Sequence, residues 1–104
     1  MKLKKQNRRV VCNDGYSVSI QASRTNYCSP RVDDAFAYES VELGFPSSED
    51  YMILQYAENE NQPTETVYGY VPVDDVYLLL TKHGGVIEGD VPKGVPVYGG
   101  VSYG

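Results

Sequence analysis

The sequence predicts an α+β fold: an antiparallel β-sheet of about five strands, one α-helix near 73–83, and an extended C-terminal tail rich in Gly, Pro and Tyr. Three observations carry this. Apolar and polar residues alternate without a break over 16–23, an apolar stripe of helical period runs over 73–80, and Gly and Pro punctuate residues 89–104. The 104 residues fit one domain. It divides into a basic arm over 1–7, an α+β core over 8–88 and the tail over 89–104.

The elements follow in chain order. Arg8-Arg9-Val10-Val11-Cys12 runs into Asn13-Asp14-Gly15, residues that tolerate positive φ in a tight turn. Tyr16, Val18, Ile20 and Ala22 then alternate with Ser17, Ser19, Gln21 and Ser23, which makes residues 8–22 a β-hairpin with one wet face. Residues 23–37 read as a loop, because Arg24-Thr25-Asn26, Ser29-Pro30 and Asp33-Asp34 are turn chemistry. Val41, Leu43 and Phe45 alternate with Ser40, Glu42 and Gly44 in a third strand that Pro46 stops.

The run Tyr51–Ala57 is open to two readings. Ser47 with Asp50 imitates a capping box, whereas seven residues rich in bulky apolar side chains suit a buried strand, the reading favoured here. After a polar loop over 58–65, Thr66–Val71 reads as a strand with Tyr68 and Tyr70 on one face. The helix has consistent signals: Pro72 near its start, Asp74 and Asp75 in its first turn, and Val73, Val76, Tyr77 and Leu80 at i, i+3, i+4 and i+7. Lys82 and His83 lie in the last turn, followed by Gly84-Gly85 as a left-handed cap. Val86-Ile87-Glu88 reads as a short edge strand. The tail interleaves Val91, Val95, Val97, Tyr98, Val101 and Tyr103 with its Gly and Pro, which fits either a segment laid over the domain or a neighbouring subunit, or a floppy end.

Charge is unevenly placed. Residues 1–9 hold Lys2, Lys4, Lys5, Arg8 and Arg9 and no acid, whereas the remaining 95 hold 4 basic and 14 acidic side chains. An acidic body repels phosphate, so nucleic acid is an expected partner only through the arm, which otherwise reads as a solvated terminus. No apolar run approaches the ~18 residues of a membrane span, and no signal-peptide core follows the basic start, so no membrane partner is expected. Cys12 and Cys28 are then reduced thiols of a cytosolic protein. A chain this small buries a limited share of its surface, a mild reason to expect a homo-oligomer.

Most catalytic constellations cannot be assembled from this inventory. His83 is the only histidine, which removes two-histidine metal sites, and no G-x-S-x-G elbow is present. Gly89–Gly94 lacks the G-K-[ST] order that cradles phosphate. A Cys–His dyad or an incomplete zinc site from Cys12, Cys28 and His83 follows no known spacing. His83 reads first as a cap on the helix carbonyls and second as a ligand contact. Asp74-Asp75 serves the helix start, and Asp33-Asp34 is ordinary in a turn. No catalytic residue, metal ligand or cofactor is expected.

Tyrosine is the compositional outlier, with 10 in 104 residues beside two phenylalanines and no tryptophan. Its ring offers large contact area at low entropic cost. Tyr68 and Tyr70 on a strand, Tyr27 between Arg24 and Arg31, and His83 at the helix end form the candidate ligand-binding set, since a guanidinium beside an aromatic ring can hold a phosphate and stack a base. The plainer reading makes several of these tyrosines half-buried sheet residues.

Several blocks together carry a resemblance. They are Met1–Arg9 leading into Val10–Gly15, Tyr27–Arg31, Val41–Ser47, Thr66–Pro72 and Lys82–Gly85. Through them the chain resembles small accessory proteins of gokushovirus-like members of the Microviridae, tiny single-stranded DNA phages. None of the blocks is a motif with known chemistry. The resemblance implies a setting, the host bacterial cytoplasm, and transfers no site. The expected function is a non-enzymatic accessory role by binding. It would grip a host protein or sequester a small nucleotide signal; the alternative is association with phage DNA or capsid through the arm. A Cys–His hydrolase is a weaker third reading.

Overall fold

The computed structural model describes residues 6–97 and the backbone of Ser102 and Tyr103. Lys2, Lys4 and Lys5 of the arm lie outside the described residues, as does most of the tail beyond Val97.

The expected α+β architecture is present. Strands β1 (Val10–Cys12), β2 (Ser17–Gln21), β3 (Ser40–Gly44), β4 (Val67–Pro72) and β5 (Val86–Glu88) form one antiparallel sheet in the order β4-β3-β2-β1-β5. Helix α1 (Val73–Lys82) follows β4 directly. The hairpin β1–β2 pairs Val10 with Val18, and alternation sends Val10, Val18 and Ile20 inward. They meet Val41, Leu43, Tyr68 and Val71 of the neighbouring strands and Val76, Leu79 and Leu80 of the helix, all buried. Each such side chain contributes about 1.5–3 kcal/mol on leaving water. The helix ends where the glycines were expected to end it: Gly85 N–H reaches back to Leu80 O at 2.9 Å, and Gly85 takes φ 86°.

Three expectations fail. Tyr51–Ala57 is not a strand but a turn followed by a 3-10 helix, Leu54–Tyr56, with a single bridge from Ala57 to Tyr68. The cause is local: Asp50 Oδ1 accepts Met52 N–H at 2.9 Å and Asp50 O accepts Ile53 N–H at 3.3 Å, a folded-back start that competes with extension. Ile53 is buried while Tyr51 points to solvent, so apolar content here did not mean sheet.

Tyr68 and Tyr70 do not share a face. Val71 pairs with Val41 and Tyr68 with Leu43, leaving Gly69 and Tyr70 together opposite Glu42. This bulge, with Tyr70 at φ 52°, keeps Tyr68 in the core and turns Tyr70 outward.

The core also runs past residue 88. β6 (Asp90–Val91) pairs in parallel with the backbone of β7 (Ser102–Tyr103), and Val91 and Val95 are buried. Between them Lys93 O accepts Tyr38 N–H at 2.7 Å. Gly94, at φ 109°, passes so near that a Cβ there would lie 2.4 Å from Tyr38 O. Among the described residues no helix is long and apolar enough to cross a membrane.

Candidate functional site

The long connection between β2 and β3 is pinned from within. Loops of this length without regular structure are uncommon, and ordered ones often carry function. Arg24 donates to Asp33 from its backbone N–H at 3.0 Å and from Nη1 at 2.9 Å. The buried Cys28 thiol donates to Ser23 O at 3.2 Å. Tyr38, also buried, donates from its hydroxyl to Val32 O at 2.7 Å and accepts Ala35 N–H at 3.3 Å. A bridge joins Ser29 to Ser40 of β3. These partners satisfy groups that would otherwise favour a solvated, mobile chain.

The pinned loop lays Tyr27 across the bulge of β4. Tyr27 N–H donates to Glu42 Oε1 at 2.9 Å, and Tyr70 N–H donates to Tyr27 O at 3.0 Å. Asn26 Nδ2 donates to the other Glu42 oxygen at 3.3 Å. Gly69 makes room for this approach, since a Cβ there would sit 3.3 Å from Tyr27 Cβ. The Tyr27 and Tyr70 rings stand 6.0 Å apart, tilted by 35°, and are 43% and 50% exposed. The Arg31 guanidinium lies over the Tyr27 ring, 5.3 Å from its centroid. Arg31 holds no carboxylate among the described residues. On the same loop Val32 and Phe36 are exposed, Phe36 almost completely.

Of the six expected ligand-binding residues, the structure therefore brings Tyr27, Arg31 and Tyr70 into one face. Arg24 stands behind it in the ion pair with Asp33. Tyr68 is elsewhere: it is fully buried, with its hydroxyl on Pro63 O at 2.5 Å.

His83 also belongs to a different place. Its ring does not cap helix carbonyls, as expected from sequence; Nδ1 meets Asp14 Oδ2 at 2.7 Å and Nε2 meets Asp50 Oδ2 at 2.8 Å. The ring stacks on Tyr16 with centroids 3.8 Å apart, and Lys82 Nζ reaches Asp50 Oδ2 at 3.0 Å. Sequence reasoning missed Asp14, Asp50 and Tyr16 here, and nothing in their spacing marks them as one cluster.

Neither thiol takes a ring nitrogen of His83. Burial first, and Asp14 second, push the Cys12 thiol up to about 11, so it stays protonated at neutral pH. Arg8 and Arg9 are committed to the fold. Arg8 meets Asp90 through Nε at 3.3 Å and Nη2 at 3.1 Å, and Arg9 donates to Ser17 and to Phe45 O. No group of three or more potential metal ligands occurs among the described residues.

The remaining guide to function is this geometry, because no protein-family model, no curated protein and no solved structure matches the chain.

Proposed function

We propose that this chain is a non-catalytic phage accessory protein that grips a host protein through the face formed by Tyr27, Arg31 and Tyr70. One observation carries the reading: two half-exposed phenol rings stand side by side, Tyr70 on the bulge of β4 and Tyr27 on a loop pinned by its own buried anchors, and the Tyr27 ring carries a guanidinium that meets no carboxylate among the described residues. Aromatic rings and arginine are the side chains that dominate binding energy at protein interfaces. A rigid loop also spares the ordering cost that binding otherwise incurs.

Charge supports a protein partner over a nucleotide. Arg24 is neutralised by Asp33, and Asp34 and Glu42 belong to the same region, so a polyphosphate would meet one uncommitted cation among several carboxylates. The phage setting rests on the sequence resemblance. The thiols support the absence of catalysis, since Cys12 is held protonated and neither thiol engages His83.

The test is capture of partners from host lysate by the wild-type chain and by Tyr27→Ala, Arg31→Ala and Tyr70→Ala variants whose circular dichroism matches wild type. The expected result is a host protein held by the wild type and lost from the variants. A partner retained by all three variants would remove the face from the reading. A nucleotide that raises the melting temperature would replace the protein partner; one at 100 times its Kd adds ~2.7 kcal/mol of stability.

A further inference from the structure

His83 sits where three segments converge: the turn between β1 and β2, the end of α1, and the 47–53 loop. Its two ring nitrogens lie 2.7 and 2.8 Å from carboxylate oxygens of Asp14 and Asp50. For both short lines to be hydrogen bonds, each must hold one hydrogen. A neutral imidazole brings a single N–H and an ionised carboxylate brings none. Both bonds form at once only when the cluster holds one proton more than a neutral ring and two carboxylates supply.

The two carboxyls themselves favour the ionised form. Asp14 is held below the usual carboxylate range, first by the N–H of Tyr16 and then by His83. Burial pushes Asp50 up, but hydrogen bonds from Met52 N–H, His83 and Lys82 outweigh it and leave the carboxyl below its ordinary value. The remaining neighbour, Tyr16, has its hydroxyl pushed far upward by burial and stays neutral.

We propose that His83 is a protonation-dependent clasp, which as imidazolium ties the β1–β2 turn and the 47–53 loop to the end of α1, and which on losing a proton releases the turn while keeping the loop. The asymmetry follows from burial. The Asp50 side chain is 2% exposed and that of Asp14 is 50% exposed. An unpaired charge costs far more in the buried position, so the one remaining N–H stays on Nε2 toward Asp50. Lys82 Nζ, 3.0 Å from the same Asp50 oxygen, remains its partner in either state. Nδ1 then presents a lone pair to the Asp14 carboxylate, and attraction becomes repulsion. Two backbone bonds persist, Asn13 N–H to Gly85 O at 2.9 Å and Asp14 N–H to His83 O at 3.2 Å, so the turn loosens rather than detaches. As imidazolium the ring donates to both carboxylates, and as imidazole to one.

The test is ¹⁵N NMR of the full chain from about pH 5 to about pH 9, a range that brackets imidazole titration. Long-range ring spectra report which nitrogen carries hydrogen, and amide exchange reports residues 13–15. On the acid side both nitrogens carry hydrogen. As pH rises, Nδ1 loses its hydrogen and Nε2 keeps it. Protection of the Asn13, Asp14 and Gly15 amides, corrected for intrinsic exchange, falls about tenfold in step, the size expected for one lost charge-assisted bond. Met52 and Ile53 show no such step. In Asp14→Asn the turn amides no longer follow the ring. Loss of the Nε2 hydrogen first, or wild-type turn amides that ignore the ring, would overturn the proposal without any variant needing to fold.

Discussion

The His83 cluster and the Tyr27–Arg31–Tyr70 face use similar ingredients, a planar nitrogen-bearing group against a tyrosine ring, to opposite ends. At His83 the polar groups are matched: the ring stacks on Tyr16, and both nitrogens and Lys82 close on carboxylates. At Arg31 the ring contact is made and the donors are left open to solvent. The first region uses its polar groups to hold three segments together, and the second keeps its guanidinium exposed. Committed charges are a stability feature, whereas an oriented but unmatched guanidinium is a binding feature.

Substitutions should separate the two regions by size of effect. His83→Ala leaves the buried Asp50 with Lys82 as its side-chain partner and removes the link to Asp14; a loss of about 2–3 kcal/mol in urea unfolding is expected. A loss no larger than a surface substitution would erase the contrast between the regions. Tyr38→Phe removes the hydroxyl that Val32 O and Ala35 N–H use, which should cost about 1 kcal/mol. Its amide-exchange effects should gather in the 31–36 loop and spare the histidine cluster. Arg31→Ala should shift stability by no more than about 0.5 kcal/mol while removing partner capture. A large stability loss there would make Arg31 a structural residue.

Acid offers a separate probe of the committed region. Asp14 and Asp50 have folded-state carboxyls below their ordinary value, so their stabilisation is complete above the usual carboxylate range near pH ~4 and is lost as pH falls through the lower folded-state range. Melting curves of wild type and Asp50→Asn should therefore converge as pH falls well below the usual carboxylate range. Curves separated by a constant gap through that fall would mean that the charge of Asp50 contributes little.

The regular elements were legible because their signals are local. Alternation over Tyr16–Ala22 and the stripe and caps of α1 need only neighbouring residues to be read. Failures came where one residue changed the rule. Asp50 folded the 51–53 backbone over itself, and the extra residue at Gly69-Tyr70 broke the period of two that had placed Tyr68 beside Tyr70. The candidate face was half legible: Tyr27 and Arg31 are close in sequence, but Tyr70 joins them only through the bulge. The histidine cluster was illegible because Asp14, Asp50 and His83 come from segments that the fold alone unites.

The contact of Gly94 with the Tyr38 backbone ties the face to a part of the chain that looked like an appendage. Residues 90–95 act as a splint: through Lys93 and Gly94 they brace the return of the long connection to β3. A shortened chain ending after Glu88 would keep every aromatic and cationic group of the face, yet present them on an unbraced support.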